Sequence, residues 1–297
     1  MPSLRHQALA RVIPVLRGTG EVQGADEVAR LRADVLARQE RADPSPPRRI
    51  AARYDVRRSE VDGMPYYELA ARPGRTERTV LYVHGGGFVS TLDRFHWRYA
   101  ARLASRLGVR VLLPAYPLTP RHTWRDALPP LVRLFTEAAV DSSRGVVLMG
   151  DSAGGGLATL LAQHVARGSG PQPTHLVAIA PWLDLSGRTP GTEDAARDDP
   201  WLSLTKLRLY GAWWGNADPP EPEASPLSGD LDGLPPTLVF CGTHDLLVPQ
   251  ARLLASRAAD AGLDLTYVER PGLIHVYPLL PVPEADEAFA TVAAFLS

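Results

Sequence analysis

Cysteine is nearly absent from this chain. Cys241 is the only one in 297 residues, which excludes an internal disulfide, and its apolar neighbours Val239 and Phe240 mark it as core. Charge of one sign is missing too: 32 basic residues face 33 acidic ones for a net −1, so nucleic acid is not expected as a partner. Lys206 is the single lysine, a compositional bias toward arginine. No apolar run approaches the roughly 18 residues of a membrane span, so stable membrane association is not expected. The N-terminal apolar patch around Val12 and Ile13 is broken by Arg11 and Pro14 and lacks a small-residue cleavage site. A cytoplasmic location is the default expectation. Metal signatures are lacking as well: there is no His-Glu-x-x-His, no Cys/His cluster, and His6, His96, His122, His164 and His175 have no carboxylate or histidine at metal-ligand spacing. No phosphate loop of the P-loop or dinucleotide kind occurs.

What is present alternates. A charge-rich amphipathic helix is expected over 25–42, ended by Pro44, Pro46 and Pro47. Strands are expected over 50–57, 66–71, 79–84, 109–115, 145–149, 176–180, 237–241 and 265–269. Helices are expected over 93–107, 124–139, 157–165, 249–262 and 284–296. Such alternation predicts an α/β fold with a mostly parallel sheet between helices, and ligands beyond the carboxyl ends of the strands. Residues 181–234 break the rhythm. They hold no obvious strand and are rich in tryptophan and acid (Trp182, Trp201, Trp213, Trp214, Asp198, Asp199), as expected of a helical cap whose tryptophans wall a cleft. The last helix is expected to turn Phe289 and Phe295 into the core, with a homodimer contact as the other use of that face.

The most informative stretch is Gly150-Asp151-Ser152-Ala153-Gly154-Gly155, lying between an apolar strand run and a helical pattern. A serine on that tight turn has its hydroxyl raised above the sheet, in the manner of a G-x-S-x-G nucleophile elbow. His84-Gly85-Gly86-Gly87 ends the 79–84 strand, where glycine amides can face a developing oxyanion. A serine nucleophile needs a base, and the base an orienting carboxylate, in the chain order Ser, acid, His. Asp245 follows the 237–241 strand, and His275 lies in the loop after the 265–269 strand. His244 competes for the base but precedes the only good acid, and His84 is expected to be a structural hydrogen-bonder.

These residues resemble the hormone-sensitive-lipase-like family of α/β-hydrolases over roughly 75–297. The resemblance implies an α/β-hydrolase fold with a cap made from 1–45 and about 182–225, the rest of 46–297 being catalytic. It implies a Ser152–His275–Asp245 triad, with oxyanion donors from the amides of Gly85, Gly86, Gly87 and Ala153. It also implies hydrolysis of small acyl esters, without cofactor or metal. Two departures stand out. Tyr116-Pro117-Leu118-Thr119-Pro120-Arg121 ends in arginine where the family often has glutamate, and Asp245-Leu246-Leu247-Val248-Pro249 lacks the family's early proline and its second acid. Bacterial acetyl-hydrolases of the family are similar in this respect. N- or O-deacetylation, and a catalytically dead ligand-binding fold, remain alternatives to a serine carboxylesterase.

Overall fold

Strands that are apolar at every position need cover on both faces. In the computed structural model, which describes residues 1–17, 20–71 and 76–297, those runs form the middle of one eight-stranded sheet. Its strands are β1 (Asp55–Val61), β2 (Met64–Ala70), β3 (Thr79–Val83), β4 (Arg110–Pro114), β5 (Val146–Asp151), β6 (His175–Ile179), β7 (Thr237–His244) and β8 (Leu265–Ile274). They lie in the order β1-β2-β4-β3-β5-β6-β7-β8. The hairpin β1–β2 and the β2–β4 pair are antiparallel, and every later pair is parallel. Val80 to Val83 and Val146 to Met149 are at most 1% exposed.

Alternation divides the core into two layers. Val80, Tyr82, Val147 and Met149 face α4 (Arg94–Leu107), α9 (Val248–Asp260) and α10 (Pro283–Phe295). Leu81, Val83, Val146 and Leu148 face α5 (Trp124–Asp141) and α6 (Ala153–Ala166). Phe289 of α10 is buried edge-on to Tyr99, so the expectation of a core role for this helix holds. Among the described residues, no helix is long and apolar enough to cross a membrane.

Two expectations need correction. Residues 50–57 are not all strand: α3 (Arg48–Arg53) comes first, because Pro47 accepts the amides of Ile50 and Ala51 and starts a turn that Arg and Ala continue readily. The 265–269 strand runs on to Ile274, past Pro271 and Gly272, so His275 directly follows β8 rather than lying out in a loop. β8 is an edge strand, where a proline need not donate, and its pairing with β7 shifts register between Gly242 and His244. Residues Leu4–Arg17 form a further helix, α1, despite Pro14. Buried His6 in α1 accepts the Ile274 amide through Nε2 at 3.1 Å, next to His275 in sequence.

No strand interrupts the segment between β6 and β7, as expected. It holds α7 (Thr192–Asp198) and α8 (Leu204–Trp214). Of these, α8, with the preceding residues 201–203 and α2 (Gly24–Arg41), supplies residues around the cavity above the strand ends. The four tryptophans divide: Trp182 and Trp201 line that cavity, whereas Trp214 is 1% exposed and stacks on Phe88 at 4.2 Å. Trp214 is therefore a core plug beneath the segment and not a cleft wall. Its replacement by Ala is expected to cost about 3–5 kcal/mol of unfolding free energy in urea, and half-buried Trp213→Ala about 1 kcal/mol.

Candidate active site

The site begins with a strained turn. Ser152 joins β5 to α6 at φ 52°, ψ −124°, a region side chains rarely enter. Backbone bonds fix it there: its amide donates to Ile179 at 2.8 Å, and its carbonyl accepts from Trp182 at 2.9 Å and Gly156 at 3.1 Å. The turn is so sharp that a Cβ on Gly150 would collide with the Gly154 carbonyl, and one on Gly154 with the carbonyls of Val83 and His84. Close approach of backbones is why both positions are glycine.

Three strand ends then deliver the predicted residues to one place. Ser152 Oγ lies 2.9 Å from His275 Nε2, and His275 Nδ1 lies 2.9 Å from Asp245 Oδ2. Asp245 Oδ1 accepts the Leu247 amide at 2.9 Å. All three side chains are buried, Asp245 completely. Burial alone would disfavour a charged His275, but Asp245, then Asp199 and Asp151, outweigh it and raise its pKa above the ordinary 6.5. Cys241 is core, as expected, and its thiol sits 3.7 Å from Asp245 Oδ2. Burial and the nearby carboxylates push that thiol's pKa well up, so it stays protonated.

The glycine loop needs a correction. The Gly85 amide donates to Asp151 Oδ1 at 3.0 Å, so it is committed and cannot also serve an oxyanion. Gly86 and Gly87 line the cavity beside Ser152, and Ala153 opens α6, where amides have no helical acceptor. His84 acts structurally, as expected. It stacks on Tyr116 at 4.3 Å, its Nδ1–H donates to the Gly85 carbonyl at 2.7 Å, and burial followed by neighbouring His96 lowers its pKa to about 4.

Sequence reasoning missed the network behind this loop. Asp151 Oδ1 also accepts the Tyr82 hydroxyl at 2.7 Å, and His96 Nε2 lies 3.6 Å from it. His96 Nδ1 lies 3.0 Å from Asp93 Oδ1 at the start of α4. The same Nδ1 is 3.0 Å from the Asp93 amide, which it could accept only as neutral imidazole; two carboxylates around one ring favour the cation. Burial opposes the charge, but Asp151 and Asp93 outweigh it and raise the pKa to about 10. His96 thus does have carboxylate partners, one three residues away and one from β5. The Asp93-x-x-His96 capping spacing was the available signal. Both departures from the family pattern are absorbed. Arg121 pairs with Glu40 of α2 at 2.6 Å on the surface, and Asp199, from outside the acid loop, accepts the Leu246 amide at 2.7 Å.

The hydroxyl and imidazole open on a cavity of about 590 Å³ walled by Trp182, Trp201, Leu207 and Tyr210, with Arg38 and Arg41 at its edge. A mostly apolar wall over a few convergent polar groups suits a small organic ligand.

Two outcomes are expected. Gly154→Ala should displace the elbow and abolish reaction at Ser152 while leaving soluble protein, checked by active-site titration. His96 binds its proton more tightly folded than unfolded, so its stabilising contribution is complete below pH 6.5 and is lost as pH rises toward about 10. Thermal melts over that interval should show a declining midpoint in the wild type and a flatter one in His96→Gln.

Comparison with known proteins agrees with this geometry. Residues 80–279 match the family described as alpha/beta hydrolase fold. An acetyl-hydrolase of Streptomyces hygroscopicus is 34% identical over 234 residues, covering 76% of this chain and 77% of that protein. A triacylglycerol lipase of Mycobacterium tuberculosis is 34% identical over 228 residues, and there the chain spans about half, 47%, of the relative's length. Among solved structures, an esterase of the bacterial hormone-sensitive lipase family superposes with a TM-score of 0.79 at 26% identity, covering 100% of this chain and 98% of that one. The chain belongs to the α/β-hydrolase family, among its hormone-sensitive-lipase-like members.

Proposed function

We propose that the protein is a serine carboxylesterase acting on small acyl esters of short to medium chain length. The observation that carries this reading is the unbroken hydrogen-bond chain Ser152–His275–Asp245, with its hydroxyl end in the cavity. Ser152 Oγ attacks the acyl carbonyl and gives its proton to His275 Nε2. The oxyanion that forms is held by the amides of Gly86, Gly87 and Ala153. The imidazolium, faced by Asp245, then protonates the leaving alcohol. Water enters, loses a proton to His275 and attacks the acyl-Ser152 ester, and His275 returns that proton to Ser152 Oγ as the acid leaves. No cofactor takes part. The helices of 1–45 and 182–225 serve as the cap that shapes the acyl pocket, with Trp182 and Trp201 as its walls.

Removal of an acetyl group from nitrogen or oxygen is the second reading, supported by the similarity to an acetyl-hydrolase over most of that protein's length. The chemistry is shared, but an amine leaving group demands earlier protonation by His275. Rates on matched acetyl ester and acetyl amide substrates separate the two.

Hydrolysis of p-nitrophenyl acetate, butyrate, octanoate and palmitate should peak at a short chain, and Ser152→Ala should lower kcat by about 10⁴-fold or more. A folded wild type inert on all four esters would overturn the esterase reading. His275 must be neutral to act as base, and its pKa is raised. The acid limb of kcat/KM should therefore lie above pH 6.5, with activity rising as pH increases through it.

A further inference from the structure

A second carboxylate stands behind the triad. Asp199 ends α7, is buried, and accepts three backbone amides. Its Oδ1 takes those of Trp201 at 2.6 Å and Leu202 at 2.9 Å; its Oδ2 takes that of Leu246 at 2.7 Å. Leu246 immediately follows Asp245, and the next amide, that of Leu247, goes to Asp245 itself. Successive amides of one loop are thus divided between two carboxylates, one inside the loop and one from the segment above it. The residues gripped by the other oxygen of Asp199 are pocket wall: Trp201 and Leu202 both line the cavity. The Trp201 ring stands edge-on to His275, with centroids 5.6 Å apart and planes at 85°.

We propose that Asp199 is a positioning residue for this reaction, clamping the pocket wall at Trp201 and Leu202 to the acid loop and setting a second negative charge beside the His275–Asp245 pair. The proposal rests on the serine-esterase reading. Its chemical consequence concerns the imidazolium formed in each half-reaction. Asp245 and Asp199 repel each other in the resting site, and both attract the positive ring once it takes the Ser152 proton, so Asp199 favours the transition state over the ground state.

The charges around these groups agree. Burial, then Asp245, raises the Asp199 pKa to about 6, while His275 and the amides of Leu246 and Leu202 pull it down. Asp199 in turn raises the His275 pKa alongside Asp245 and Asp151. Another titratable neighbour, the Cys241 thiol against Asp245, stays neutral. A mere helix end could be asparagine. At this position an asparagine would set its NH₂ against an amide donor whichever way it turned, and would carry no charge.

The test compares wild type, Asp199→Asn and Asp199→Glu on p-nitrophenyl acetate across pH, with the His275 ring titrated by NMR in each. Asp199→Asn should lower kcat/KM about tenfold at its plateau and move both the acid limb and the His275 titration to lower pH. Asp199→Glu keeps the charge but cannot meet all three amides, so its rate should fall while its acid limb stays near that of the wild type. A folded Asp199→Asn whose limb and His275 titration coincide with the wild type would overturn the proposal. Should Asp199→Asn fail to fold, the wild-type NMR curve decides. Two coupled steps, one near pH 6, support the second charge, and a single step contradicts it. If the wild type hydrolyses no ester, the esterase reading fails, and the His275 titrations still judge whether Asp199 acts on the ring.

Discussion

The rest of the site depends on one backbone constraint: the turn from β5 into α6 must pass Ser152 at a positive φ while two strands and a helix crowd against it. Such a conformation costs of order 1–3 kcal/mol and persists only where surrounding contacts over-determine it. Here Ile179, Trp182 and Gly156 supply those contacts through the backbone, and Gly150 and Gly154 supply the room. The strain is useful. It leaves Oγ projecting from the carboxyl edge of the sheet, 2.9 Å from a histidine carried at the end of β8, three strands away. It also starts α6 at Ala153, the next residue.

Around that turn the buried charges are arranged in two sets. Asp245 meets His275 on the side of the base, and Asp151 meets His96 behind the glycine loop. Asp151 adjoins Ser152, and in the proposed mechanism an isolated carboxylate there would oppose the negative charge of a tetrahedral intermediate. The cationic His96 offsets that field, and the Gly85 amide and Tyr82 hydroxyl use the carboxylate as an anchor. The loop is therefore held by the side chain next to Ser152 in sequence, which links the placing of the glycine loop to the placing of Ser152. His6 of α1 and Asp199 extend the same logic, accepting the amides of Ile274 and Leu246, each adjacent to a member of the Ser152–His275–Asp245 chain.

Legibility in the sequence followed range. The elbow, the glycine loop, Asp245 and His275 could be read because each is a short local pattern at the end of an apolar strand, and the parallel sheet follows from the alternation of such strands with helices. Interactions between segments far apart in sequence could not be read. Nothing local ties Asp199 to Leu246, His6 to Ile274, or His96 to Asp151. The Gly85 amide was assigned to the oxyanion hole because a run of glycines does not reveal which amide a neighbouring strand will claim. Residues 50–53 read as strand because Ile50 precedes an alternating run, yet the Pro47 carbonyl starts a helical turn there. Residues 270–274 read as loop because of Pro271 and Gly272, yet pairing with β7 carries the strand through them. Trp214 was grouped with the cleft tryptophans by composition, and only its stack on Phe88 shows that it fills the core.

The central claim is that Ser152 is a nucleophile activated by His275. Treatment with a fluorophosphonate, followed by intact-mass measurement and peptide mapping, tests it without knowledge of the natural substrate. The account predicts a single stoichiometric adduct on Ser152, formed much more slowly when His275 is replaced by Ala. A folded protein that gains no adduct, or carries it on another residue, would contradict it.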